Sequence, residues 1–527
     1  MSAFVPLPLG QRIPGSVHSV SCSLPTMRAI VGYEEKSPDI TRHLTSGYPR
    51  FLVHPLARQL AEKYRPAGRA LWLTSSARMA GELAQHLGSH STGSGQAHST
   101  DSTSSPQAGF LLRQGYGGQA GQAGAQVFAD GTLNGVSHPE NAELATRAKT
   151  FLQNVGGFLS SREAEDHLVR LGALPAAAPE TLFPGDTAAE VKRRLRPAFP
   201  GAGDNDFFPA SSGMNAIYAA FRAMAELQAG YGRTVWIQLG WLYLDTIAIL
   251  KKFTAPGDYI YARDVFDHTA LERLFVEHGR RIAGIITEVP TNPLIQTPDM
   301  PWLVALARRH GAALILDPTV ASAFNVNLLP YADVVTTSLT KYAASEGDII
   351  AGVAVVNPAS PHAARLRAKL SALLEPVYPR DLARLAAQIG KAEDLLARAH
   401  DNVPRVVAFL EKHPAVRDVF WARRAESRSN FERVARAPGA VGAMISFTLR
   451  GPLEKFYDRL RLPKGPSFGM TTTLICPFMF LAHYDLVTSE AGRAELAASG
   501  IDPNLLRLSV GTEPVEDIIA ALAEALE

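Results

Sequence analysis

Lys341 stands in Ser338-Leu339-Thr340-Lys341-Tyr342, just after a strand-like run at 332–335. A second apolar run, 313–316, ends in Asp317. A lysine just past a strand end, hydroxyls three places and one place before it, and an aspartate closing an earlier strand form the set that pyridoxal 5'-phosphate chemistry needs. The lysine can form a Schiff base with the cofactor aldehyde. The hydroxyls can donate to its phosphate. The carboxylate can keep the pyridine nitrogen protonated, so that the ring accepts electrons.

Other residues could serve the same site. Ser211-Ser212-Gly213-Met214-Asn215 precedes an apolar helix pattern. Small residues there leave backbone N–H groups free at the positive end of the helix dipole, a cradle for phosphate. Taken alone, such a sequence is an ordinary helix cap. In Glu288-Val289-Pro290-Thr291-Asn292-Pro293 the two prolines fix a loop that can aim the Asn292 amide at a ligand oxygen. Tyr243, just beyond a strand, has a ring that can stack on a cofactor or pack in the core.

These residues need elements to carry them. Strand patterns fall at 234–238, 259–261, 282–286, 313–316 and 334–336. Helical patterns lie between them; that at 300–310 is stopped by Gly311. This alternation predicts an α/β fold with a mainly parallel sheet covered on both faces. Ligands in such sheets bind at the carboxyl ends of the strands, where Asp317 and Lys341 would lie. From about Pro361 the pattern changes to a long helix at 382–412, strands at 416–421 and 443–449, a helix at 453–460, and a closing strand and helix at 506–511 and 514–526. That is a smaller α+β domain. The part before about Pro200 reads as irregular, and 88–125 as a disordered low-complexity insert. The expected division is 1–205, 206–360 and 361–527.

Composition removes several function classes. Among 527 residues, 52 Lys and Arg balance 50 Asp and Glu, for a net charge of +2, which leaves no footprint for nucleic acid or an anionic membrane. No apolar run approaches the roughly 18–20 residues of a membrane span. Residues 1–25 lack the pattern of a secretory signal. Cys22 and Cys476, the two cysteines, are no disulfide framework, so a reducing, cytoplasmic setting is expected. No metal-ligand spacing occurs, and the Gly-rich dinucleotide fingerprint and the Walker lysine motif are both missing.

The order Ser-Gly-Met, Tyr, Pro-Thr-Asn-Pro, strand-end Asp, Ser-x-Thr-Lys, then Arg507 in Arg-Leu-Ser-Val-Gly resembles the Cys/Met-metabolism branch of pyridoxal-phosphate enzymes. The resemblance covers 206–527 and reaches back to Tyr48-Pro49-Arg50. It is nearest to fungal-type cystathionine γ-synthases, through Val20 to Pro25, Gly32-Tyr33-Glu34-Glu35, the run at 325–335, and Lys464-Gly465-Pro466-Ser467.

The resemblance implies a fold-type-I pyridoxal-phosphate transferase with shared active sites in a homodimer or homotetramer. It makes Lys341 the Schiff-base lysine and proton shuttle, and Asp317 the partner of the pyridine nitrogen. It gives the ring to Tyr243, the phosphate to Gly213, Met214, Ser338 and Thr340, and the ring-hydroxyl region to Asn292. Arg507 would grip a substrate α-carboxylate and Ser467 would line the substrate site. Tyr48 and Arg50 would reach the neighbouring subunit's cofactor, and Tyr243 or Tyr48 would assist proton transfer. The implied reaction is γ-replacement on an O-acylhomoserine by cysteine, giving cystathionine. The alternatives are sulfhydrylation by sulfide or methanethiol, and γ-lyase cleavage. A binding protein of the same fold would have lost these groups. Three departures bear on the substrate, one being Ala343-Ala344-Ser345-Glu346-Gly347 after the lysine, which differs from the family's usual Gly-containing stretch. Tyr243-Leu244-Asp245-Thr246 replaces the family's Tyr-Gly-Gly-Thr, and Ala248 stands near the place where many members have an Arg.

Overall fold

The computed structural model describes residues 4–46, 53–88 and 124–527. Its centre is a seven-stranded sheet. In chain order the strands are β1 (Arg12–Ile13), β2 (Ser21–Cys22), β3 (Arg69–Thr74), β4 (Gln126–Asp130) and β5 (Leu133–Pro139), followed by the central β6 (Phe207–Ala210), β7 (Val235–Leu239), β8 (Tyr259–Ala262), β9 (Ile282–Glu288), β10 (Ala313–Asp317), β11 (Val334–Ser338) and β12 (Gly352–Val356). The central order is β6-β12-β11-β10-β9-β7-β8. Strands β7 to β11 run parallel, while β12 and β6 join antiparallel. The five strand patterns read from the sequence are thus joined by β6 and β12. The first of these is an edge strand with Pro209 inside it, a residue that weakens a strand pattern and is tolerated at an edge.

Adjacent residues on the central strands serve opposite layers. Ile285 and Leu314 pack into one core, and Ile286 and Ile315 into the other. Period-two alternation with both sides apolar is the signature of a sheet covered on both faces. Helix Gly213–Ala229 supplies Ala216, Phe221 and Met224 to the second core.

The smaller C-terminal domain holds β13 (Val416–Phe420), β14 (Met444–Leu449), β15 (Leu474–Pro477) and β16 (Leu506–Ser509), antiparallel in the order β13-β14-β16-β15. The long helix read over 382–412 is two helices, Pro379–Gln388 and Ala392–Lys412, with a 3-10 turn at Ile389–Lys391 between them. Gly390 sits in that turn, where glycine's backbone freedom costs a helix stability.

The stretch before Pro200 is not irregular. Strand β3 pairs with β5 across the low-complexity insert, and β5 pairs with β4 as a hairpin through the two-residue turn Gly131-Thr132. Helices Pro55–Tyr64, Ala77–Gly88, Ala142–Val155 and Ser161–Arg170 pack around this sheet. The β3–β5 pairing, with so long an insert between its strands, leaves no local pattern to read. The insert itself lies outside the described residues over 89–123. Arg162, 1% exposed, anchors this part to the rest. It donates to Asp381 at 2.9 Å, Glu180 at 2.8 Å and the Asp348 carbonyl at 2.8 Å.

Candidate active site

Three strand ends meet at the site. Asp317 closes β10 and stands opposite Glu288, the last residue of β9. Ser338 closes β11, and the chain then turns through Leu339 and Thr340 to Lys341. The Lys341 side chain is buried, donates to the Ser467 hydroxyl at 3.0 Å, and lies 5.3 Å from the centre of the Phe468 ring. Ser467 holds φ at +85°, a conformation that non-glycine residues rarely adopt. This turn brings the serine hydroxyl to the lysine and the Ser467 carbonyl to Arg507.

Asp317 is buried. Its Oδ1 accepts the Thr319 backbone N–H at 2.8 Å and the Thr319 hydroxyl at 2.5 Å. The same hydroxyl accepts the Ser338 N–H at 2.9 Å, so Thr319 ties the aspartate to the strand that leads into Lys341. Burial pushes the Asp317 carboxyl up to about 6, against the pull of these Thr319 bonds. A cation beside it would favour the ionised form.

The phosphate candidates lie at the start of helix Gly213–Ala229. Ser212 caps it, accepting the Asn215 N–H at 3.1 Å. Gly213 comes so close to the end of β11 that a Cβ there would sit 2.8 Å from the Ser338 Cβ. Gly213, Met214, Tyr243 and Thr340 line a cavity of about 610 Å³ together with His54 and Arg162. The Thr340 hydroxyl accepts the Ala351 N–H at 3.1 Å. Tyr243 caps helix Leu244–Phe253, and its backbone N–H donates to Glu288 Oε1 at 2.5 Å.

Arg507 extends from β16 of the C-terminal domain to the loop after β9. It donates to Asn292 Oδ1 at 3.2 Å and to the Ser467 carbonyl at 3.5 Å. Its guanidinium carbon lies 5.0 Å from the Phe468 ring centre and 4.4 Å from that of Phe478. An arginine held on aromatic faces keeps a planar fork suited to a carboxylate.

Lys341, Asp317, Tyr243, Gly213, Met214, Ser338, Thr340, Asn292, Arg507 and Ser467 therefore converge, although they are spread from 213 to 507 in the chain. Tyr48 and Arg50 lie outside the described residues. Sequence reasoning passed over Thr319, Glu288 and Phe468. Thr319 had a signal, since Asp-Pro-Thr at a strand end favours an Asx turn. Phe468 had none, because its place depends on the backbone turn at Ser467. His483 accepts the Trp241 indole N–H at 3.2 Å and packs against that ring.

The residues fit pyridoxal phosphate. A buried lysine, a buried strand-end carboxylate and a helix start too tight for any Cβ are the three features that its aldehyde, ring nitrogen and phosphate require. Fold and site define a pyridoxal-phosphate enzyme of fold type I. Two solved structures share the fold: a cystathionine γ-lyase from Lactobacillus plantarum complexed with L-serine and a cystathionine γ-synthase from Xanthomonas oryzae complexed with aminoacrylate and cysteine. The first has TM-score 0.52 and 25% identity over 60% of this chain and 81% of that one. The second has TM-score 0.55 and 22% identity over 67% and 91%.

The profile of the Cys/Met metabolism PLP-dependent enzymes matches residues 202–527, and the chain belongs to that family. Its cofactor is pyridoxal 5'-phosphate. An L-2-amino-4-chloropent-4-enoate dechlorinase/desaturase from Streptantibioticus cattleyicolor is 39% identical, over 98% of this chain and 97% of its own length. A cystathionine γ-synthase from Neurospora crassa is 26% identical over 99% and 98%. Among the described residues, no helix is long and apolar enough to cross a membrane.

Proposed function

We propose that this enzyme expels a leaving group from the γ-carbon of an L-α-amino acid, and that its substrate is a chloroalkenyl amino acid of the 2-amino-4-chloropent-4-enoate type. The observation that carries the choice is the 39% identity to the dechlorinase/desaturase along nearly the whole of both chains. Loss of a proton and chloride from such a substrate adds one unsaturation and balances without an oxidant. Ala248, near the place of the arginine that would pair with a charged acyl tail, fits a tail without charge.

When bound, pyridoxal phosphate supplies an electron sink conjugated to the substrate's α-amino group. The rest falls to the chain. Arg507, with its fork held by Asn292 and Ser467, receives the α-carboxylate. Lys341 Nζ, steered by the Ser467 hydroxyl, takes the proton from Cα and carries protons between carbons. Phe468 sets an apolar ring beside both groups, 5.3 Å from Lys341 Nζ and 5.0 Å from the Arg507 guanidinium carbon. Asp317, held by Thr319, keeps the ring nitrogen's proton in place. Tyr243 would stack on the ring and is the described candidate for assisting proton transfer. Tyr48 and Arg50 complete the site from a neighbouring subunit.

The second reading is γ-replacement, in which cysteine attacks the γ-carbon of an O-acylhomoserine to give cystathionine. It is favoured by the 26% identity to the Neurospora crassa cystathionine γ-synthase. One assay divides the two. Purified holoenzyme is given L-2-amino-4-chloropent-4-enoate alone, or O-acetylhomoserine with cysteine. Chloride release at a higher kcat/KM than cystathionine formation is the expected result. Cystathionine formation without chloride release would reverse the order.

A further inference from the structure

Glu288 is 4% exposed and ends β9 directly opposite Asp317. Its Oε1 accepts the Tyr243 backbone N–H at 2.5 Å, and the Asn292 backbone N–H also faces its carboxyl. Asn292 in turn accepts from Arg507 at 3.2 Å. One carboxyl group thus joins the tyrosine on one strand-end loop, the asparagine on another and, through it, the carboxylate-binding arginine. We propose that Glu288 is a positioning residue for the cofactor ring, a clamp that fixes the backbone of Tyr243 and Asn292 on either side of it.

The clamp rests on the placement of the ring between Lys341 and Asp317 given above, and not on the identity of the substrate. Two buried carboxyls side by side resist carrying two charges. Burial and the neighbouring Asp317 hold the Glu288 carboxyl far above the usual carboxylate range. What the clamp needs from Glu288 is an acceptor oxygen at the Tyr243 N–H. Glutamine offers a carbonyl oxygen at the same reach. Aspartate is one carbon short, and alanine offers nothing.

The test uses Glu288→Gln, Glu288→Asp and Glu288→Ala holoenzymes. Three quantities are read: cofactor Kd by dialysis, the visible circular dichroism of the bound cofactor, and thermal unfolding. The dichroism reports how the ring is held, which a loss of general stability does not change. Glu288→Gln is expected within about twofold of wild type in Kd, with the same dichroism. Glu288→Asp and Glu288→Ala are expected to bind about tenfold or more weakly, as loss of one strong hydrogen bond predicts, with altered dichroism. A folded Glu288→Ala with wild-type Kd and dichroism would overturn the proposal. So would a Glu288→Gln as impaired as the alanine variant, since charge and not the clamp would then matter. If the two shortened variants fail to fold, Glu288→Gln alone decides in the same way. Borohydride trapping of wild-type cofactor on Lys341 keeps a failure here distinct from a failure of the ring placement.

Discussion

At the residue scale, the site depends on a few buried polar groups held by neighbours that do no chemistry. Arg507 is the clearest case, with its fork set by Asn292, Ser467 and two aromatic faces. Arg507→Lys keeps the charge and loses the bidentate geometry. We expect kcat/KM to fall roughly 10- to 100-fold, mostly in KM, corresponding to one charge-assisted hydrogen bond; steady-state kinetics measures this. Asp317 gives a prediction in pH. Its carboxyl is raised from 3.8 to about 6 in the cofactor-free fold, so between those values the folded chain holds more protons than the unfolded one. Stability of the cofactor-free enzyme must therefore fall as pH rises through this window, by on the order of 2–3 kcal/mol. Asp317→Asn should flatten that part of the profile in denaturant titrations. An equal slope in the variant would place the titration elsewhere. Asp317 and Lys341 were legible in the sequence because one is a polar residue ending an apolar strand and the other follows shortly after such an end, while Arg507 was legible only through the family resemblance. Glu288 was quoted within its proline-flanked loop and given no role. Its importance arises only from standing opposite Asp317, a pairing that one strand's sequence does not encode.

At the element scale, the start of helix Gly213–Ala229 and the end of β11 must nearly touch. Gly213→Ala would put a methyl 2.8 Å from the Ser338 Cβ, with backbone rather than a flexible side chain close behind it. The helix start must then shift away from the strand. We expect cofactor affinity to fall about tenfold or more with the visible spectrum of the remaining holoenzyme retained, as read by titrating the cofactor-free protein. The helix at 300–310 and its Gly311 stop were readable because cap, apolar spacing and left-handed terminator are all local. The split at Ile389–Lys391 was not, since apolar spacing continues through it and Gly390, its one local signal, was passed over.

At the scale of the whole molecule, the central parallel sheet was legible because its strands are short apolar runs separated by helices in sequence order. The pairing of β3 with β5 was not, because the long insert separates them in sequence; the β4–β5 hairpin, turning at Gly131-Thr132, is local and was passed over. The proposed sharing of the site between subunits belongs to this scale as well. Mixing Tyr48→Ala/Arg50→Ala subunits with Lys341→Ala subunits, each inactive alone, should restore about a quarter of the wild-type activity per site in a randomly reassorted dimer. Activity that stays at the level of the separate variants would put Tyr48 and Arg50 in their own chain's site.

The central claim is that Lys341, among all the lysines of the chain, carries the cofactor. Borohydride reduction of the wild-type holoenzyme followed by peptide mass mapping tests it directly. The pyridoxyl group should appear on the peptide containing Ser338-Leu339-Thr340-Lys341-Tyr342, with the visible absorbance of the lysine-bound cofactor lost in step. Lys341→Ala should show neither the label nor the absorbance. Label on another lysine, or a Lys341→Ala protein that keeps both absorbance and turnover, would contradict the account.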